Sequence, residues 1–106
     1  MEETDFLQNR ILDELNLLIN HLDKYEEKNW SDYFRKVQRL IDNGDVRGVD
    51  SLNTIRGGMG SFNDLVISKM NGHKVEKNGE NFANLELMKI SKLVFKSVDE
   101  LKRLIK

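Results

Sequence analysis

The chain of 106 residues contains no proline, and its seven glycines all fall between Gly44 and Gly79. Proline and glycine are the main helix breakers, so this distribution leaves long unbroken stretches on either side of a punctuated middle. A helical front, a loop-rich centre and a helical back follow. Cysteine is also absent, which excludes disulfides, thiolate metal sites and a cysteine nucleophile and leaves packing as the source of stability. At this length a single domain over residues 1–106 with one modest core is expected.

Apolar residues repeat at helical spacing along the front. Leu7, Ile11, Leu15, Leu18, Leu22 and Tyr25 step by 4, 4, 3, 4 and 3 residues, which predicts a long amphipathic N-terminal helix within residues 1–28. Thr4 is the expected N-cap, with Asp5 favourable in the first turn. Phe6, Leu12 and Ile19 form a second stripe, so this helix offers two faces, and a seam this regular could also pair two copies into a homodimer. Trp30, Tyr33, Phe34, Val37, Leu40 and Ile41 predict a second helix, capped by Asn29 or Ser31 and ended at Asp42-Asn43-Gly44-Asp45. Asp45 then caps a short third helix carrying Val46, Val49, Leu52 and Ile55 and closed by Gly57-Gly58. A last helix from Asn81 or Asn84 carries Phe82, Leu85, Met88, Leu93, Phe95, Val98, Leu101 and Leu104 or Ile105. The expected fold is all-α: a bundle of four to five helices, with residues 30–105 as its core and a glycine-rich turn region in the middle.

The most tightly specified run is GGMGSFNDLVI, from Gly57 to Ile67. Ser61 precedes Asp64 by three residues, a capping-box spacing that predicts a helix through Leu65, Val66, Ile67 and Met70. The competing arrangement is a short two-stranded hairpin within residues 62–75, turning at Asn71-Gly72 into His73-Lys74-Val75. The helix is the preferred expectation, with residues 74–80 as exposed loop. Consecutive N–H groups before a helix can cradle an anion, yet the nucleotide templates fail here. No lysine follows Gly60 as a phosphate-binding loop requires, and Asn63 stands where a dinucleotide fingerprint needs its third glycine. A packing turn, with Met59 and Phe62 plugging the core, is the expected use.

Other chemistry is weakly encoded. Asp42, Asn43, Asp45 and Asp50 resemble a calcium loop, but Arg47 intrudes and Thr54 occupies the position of the bidentate glutamate. His21 and His73 lack ligand partners at helical spacing, so neither a metal nor another cofactor is expected. Ser61, His73 and Asp64 include the residue types of a catalytic triad, a combination that loop sequence supplies by chance. Trp30, Tyr33 and Phe34 read as core rather than as a platform for bases. The lysines and arginines of the back half are interspersed with acids, so nucleic acid is not the expected partner.

No apolar run approaches a membrane span, and the start Met1-Glu2-Glu3-Thr4-Asp5 is acidic, so a cytoplasmic location is expected. Residues 1–32 hold nine acids and three bases, net −6, while residues 33–106 hold nine acids and fourteen bases, net +5. Such a split suits a basic partner for the front or an anionic one for the back, or opposite charges facing each other inside one fold or dimer. The last is preferred.

Trp30, Tyr33, Gly44-Asp45, Gly48, GGMGSFNDLVI, Asn71-Gly72, Asn84 and Leu85 together resemble a family of small bacterial domains of unknown function, over roughly residues 30–100. The resemblance implies no particular chemistry. Small bacterial proteins of this look often serve as immunity-type partners that neutralise a toxin by binding it. The functional expectation is a non-enzymatic interaction protein that blocks a partner protein sterically. Its expected contact region is Met59, Ser61, Asn63 and Asp64, with His73 and Lys77 on the adjoining loop. The alternative is a small anion-binding, metabolite-binding or enzymatic domain using the Gly57–Asp64 turn.

Overall fold

The computed structural model describes residues 3–56 and 61–105, and within them the regular structure is four α-helices and two single 3-10 turns. Helix α1 (Glu3–Lys24) forms where the 4-4-3-4-3 spacing stands, and that stripe, continued by Tyr25, is buried throughout. Ile11, Leu15, Leu18 and Leu22 are fully removed from water, each worth about 1.5–3 kcal/mol of transfer free energy. Their cover comes from the chain's own helices α2 (Lys28–Asp42) and α4 (Glu80–Ile105). Of the second stripe, Ile19 is buried and Leu12 packs against the core, while Phe6 is exposed with Arg10 over its ring.

Glu26, at φ +59°, turns the chain between α1 and α2, and the Tyr25 and Glu27 N–H groups both donate to the Leu22 carbonyl. Glu27 caps α2, in place of Asn29 or Ser31: its carboxylate accepts from the Trp30 N–H at 3.0 Å. Ser31 is instead fully buried inside the first turn, its hydroxyl donating to the Lys28 carbonyl. Gly44, at φ +74°, ends α2 where expected. Asp45 then closes the start of α3 (Arg47–Thr54), its carboxylate accepting from the Arg47 N–H and from the same residue's guanidinium. At Gly48, α3 meets α2 so closely that an added Cβ would lie 2.6 Å from the Ile41 Cγ1 atom.

Residues 61–76 form neither the expected helix nor the hairpin, and no strand occurs among the described residues. Only Phe62–Asp64 make a 3-10 turn, the Ser61 side chain supplies no cap, and the backbone is extended from Leu65. The physical reason is that distant side chains take the backbone bonds a helix or ladder would supply. Asn84, within α4, accepts from the Ile67 N–H at 2.8 Å and donates to the Ile67 carbonyl at 2.9 Å, reproducing both bonds of a strand partner. The Ser68 N–H donates to the His73 Nδ1 at 3.0 Å, and the Lys69 N–H donates to the Glu80 carboxylate at 2.9 Å. Ile67, fully buried, plugs the core beneath. Gly57, Gly58, Met59 and Gly60, the expected glycine-rich turn, lie outside the described residues.

Helix α4 begins at Glu80, after a second 3-10 turn at Lys77–Gly79, rather than at Asn81 or Asn84. Its buried stripe is Ala83, Leu87, Val94, Val98 and Leu101, joined by Phe95. Phe82, Leu85, Met88 and Leu93, which the sequence offered as core positions, are exposed instead. The helix is apolar on two faces, and α1 covers only one of them. That interface is pinned by a polar cluster: the buried Ser97 hydroxyl donates to Glu14 at 2.6 Å and accepts from the Arg10 Nε at 3.0 Å, while Arg10 also pairs with Glu100.

Candidate functional site

Phe62, set in its 3-10 turn, inserts its ring among Trp30, Phe34 and Phe95, with centroid separations of 5.2, 4.9 and 6.5 Å. These are edge-on or tilted contacts of the kind aromatic quadrupoles favour. They make a closed floor, since Phe62 and Phe95 are both buried. Above it lies an open groove of about 970 Å³ between the segment around residues 62–66 and the outer face of α4. Val66 stands on one wall and Leu85 and Met88 on the other, exposed by 51%, 52% and 49%. Along α4 the groove changes character. Its N-terminal half presents Leu85 and Met88, and its C-terminal half presents Lys92, Lys96 and Arg103.

Arg56 crosses the groove near its charged end. Its guanidinium forms a two-pronged pair with Asp99, at 2.6 and 3.1 Å, and lies over the Phe95 ring, 4.8 Å from its centroid. This fork-to-carboxylate geometry is the strong form of a charged hydrogen bond. The bond from Arg56 holds the Asp99 carboxyl below its ordinary pKa, and the same bond raises that of Arg56. Lys92, Lys96 and Arg103 make no ion pair among the described residues, so the groove carries a net positive charge at this end. The Asn63 amide donates to the Arg56 carbonyl, which ties together the two flanks of residues 57–60.

Of the five expected contact residues that are described, Asn63 alone lines this groove. Met59 lies outside the described residues. Ser61 is partly buried, its hydroxyl without a hydrogen-bond partner among the described residues. Asp64 is exposed at the end of the 3-10 turn, and Lys77 is exposed at the start of the second one. His73 is buried: Nδ1 accepts from the Ser68 N–H, and Nε2 lies 2.9 Å from the Glu27 carboxylate. With both ring nitrogens engaged there, His73 does not form the triad that Ser61 and Asp64 suggested. His21 is tied to α4 through one nitrogen, its Nε2 lying 2.9 Å from the Ala83 carbonyl. Among the described residues no group of three or more His, Asp or Glu converges as a metal site, and no helix is long and apolar enough to cross a membrane.

The structure gives a part to Glu27 and Asp99, which the sequence did not single out, and a different part to residues it did: Asn84, expected as a helix start, anchors the central segment, and Arg56, Lys92 and Lys96, weighed only as a nucleic-acid surface, stand around the groove. One local signal was available, an asparagine within an otherwise apolar stretch of α4 that carried no turn. The model of a family described as "Domain of unknown function (DUF6966)" matches residues 23–76, and the chain belongs to that family. The match runs from the end of α1 through α2, α3 and the central segment, and so includes one wall of the groove but not α4. No curated protein and no solved structure matches the chain.

Proposed function

We propose that this member of the family is a non-enzymatic interaction module that binds a partner protein in the groove between residues 62–66 and α4. The observation that carries the proposal is the set of half-exposed apolar side chains, Val66, Leu85 and Met88, turned toward one concave surface over a closed aromatic floor. Single exposed apolar residues are ordinary on a surface, whereas several that share a concavity are the composition of a binding site. The polar side chains nearby are engaged in holding the fold: Asn63 to Arg56, Asn84 to Ile67, His73 to Glu27 and Ser68. Phe62 and Phe95 are too deeply buried to stack on bases, which favours a protein over a nucleic acid. We place the module among immunity-type proteins, which neutralise a toxin by occupying it, so that steric exclusion is the whole mechanism.

Leu85→Asp and Met88→Asp test the proposal. Both positions are about half exposed, so a loss of about 1–2 kcal/mol is expected, which leaves each variant folded. The wild-type protein, used as bait in a lysate of its own host, is expected to retain a partner protein that both variants lose. Equal recovery by wild type and variants, or repeated recovery of nothing, overturns the proposal.

A further inference from the structure

The groove is graded along α4, and the grading specifies what fits it. Leu85 and Met88 are followed on the same face by Lys92, Lys96, Asp99 and Arg103, at spacings of 3, 4, 4, 3 and 4 residues. From Leu85 to Arg103 this stripe runs roughly 27 Å, at about 1.5 Å per residue. Asp99, bonded to Arg56 and also near Arg103, is the one acid of the described lining against four cations, which leaves a net charge of +3 in the C-terminal part. An occupant must therefore bring apolar side chains to one end and carboxylates to the other.

We propose that the natural occupant is an acidic amphipathic helix of the partner protein, lying along α4 with its apolar residues over Val66, Leu85 and Met88 and its carboxylates beside Lys92, Lys96 and Arg103. The proposal rests on the groove being the protein-binding surface. Two observations favour a helix. No strand occurs among the described residues, so the groove offers no sheet edge to which an extended peptide could add. One wall is itself a helical face with residues at 3- and 4-spacing, the ridge against which a second helix packs. Charge complementarity chooses its sign: desolvating three unpaired cations beneath an apolar or basic partner would be costly, and carboxylates at i, i+4 and i+11 restore their partners.

The test uses a display library of random peptides of about 20 residues, long enough as a helix to span the stripe, selected on the full-length protein. Enriched sequences are expected to combine apolar residues at helical spacing with a net negative charge concentrated at one end. In fluorescence anisotropy with the synthesised peptide, the charge-reversal variant Lys92→Glu/Lys96→Glu is expected to weaken binding about tenfold or more, and Leu85→Asp by a similar factor. Both variants alter exposed or half-exposed side chains, and a cooperative thermal transition well above the assay temperature shows that each is folded. Selected peptides that bind Leu85→Asp as tightly as wild type sit elsewhere, and that result removes the groove itself as the binding surface. Peptides lost with Leu85→Asp but neutral, basic or indifferent to Lys92→Glu/Lys96→Glu overturn the acidic helix alone. A selection that enriches nothing overturns it too. A selected peptide that is displaced at higher protein concentration, with dimers forming in light scattering, makes a second copy the occupant and also overturns the proposal.

Discussion

Replacing His73 by alanine is expected to loosen the wall of the groove from behind, without altering any residue that lines it. His73 is 8% exposed and stands between two elements. A backbone N–H aimed at Nδ1 needs a lone pair there, which places the ring proton on Nε2, directed at the Glu27 carboxylate 2.9 Å away. Glu27 uses its other oxygen to cap α2 at the Trp30 N–H, so one carboxylate joins the helix start to the central segment. His73→Ala removes a hydrogen bond to a charged acceptor, about 1.5–3 kcal/mol, and leaves the partly buried Ser68 N–H without an acceptor, about 1 kcal/mol more. A total of about 2.5–4 kcal/mol is large beside the roughly 5–15 kcal/mol that stabilises an ordinary domain. The melting temperature should fall by roughly 10–25 °C. Urea unfolding followed by circular dichroism, on wild type, His73→Ala, Glu27→Gln and the double variant, is expected to show a coupling of about 1–2 kcal/mol between the two positions. Amide exchange should rise first at Ile67, Ser68 and Lys69. A loss below about 0.5 kcal/mol for His73→Ala, or additive effects in the cycle, refutes the assignment of this pair as the fastening of the central segment.

Two further outcomes follow from named contacts. Because its partner Arg56 depresses the pKa of Asp99 below the ordinary 3.8, the pair stabilises the fold fully above that value and loses its effect as pH falls through the folded pKa; Asp99→Asn should therefore be less stable than wild type at pH 7 and indistinguishable from it in strong acid, as measured by thermal melts across pH, and a difference that persists in strong acid rejects the electrostatic origin. At Gly48 an alanine Cβ would meet Ile41, itself buried, at 2.6 Å, so Gly48→Ala should destabilise by about 1–3 kcal/mol in chemical denaturation despite the better helix propensity of alanine; unchanged or raised stability would show that α3 can shift away from α2 at little cost.

The helices were legible because their information is local. A 3.6-residue period on α1 decides which side chains meet the core, and the stripe Leu7 to Tyr25 is buried as the spacing predicts. Helix α4 shows where the same logic fails. Its apolar residues occupy two faces, and periodicity cannot say which is covered; Leu85 and Met88 were read as core, while the smaller Ala83 faces α1. The central segment was illegible for another reason. Its conformation is set by single bonds from residues far along the chain, Asn84 to Ile67 across 17 positions and His73 to Glu27 across 46. A capping-box spacing at Ser61 and Asp64 records only a local option, which these distant partners outweigh. Of the groove, Asn63, Phe62 and the basic residues Lys92, Lys96 and Arg103 could be singled out from the sequence, but that Leu85 and Met88 join them on one exposed face could not.

The uneven charge along the chain connects these observations. Some of the front acids are answered inside the fold: Asp23 pairs with Arg35, Glu26 with Lys74, and Glu27 meets His73. In the other direction Arg10 reaches from the acidic front to Glu100 on α4. The contacts of Asp23, Glu26 and Glu27 join acids of the front to basic side chains of the back within one fold, but they involve only part of the split. Several back-half cations are left over, and three of them, Lys92, Lys96 and Arg103, share the groove face of α4 without ion-pair partners among the described residues. Exposed ion pairs contribute little to folding, so the fold loses little by leaving these cations unpaired. Their effect falls on encounter instead, because a concentrated positive patch beside an apolar groove accelerates and orients the approach of a partner bearing carboxylates. A salt titration should therefore slow association at this groove much more than it speeds dissociation, whereas a groove recognised by its apolar half alone would show neither change.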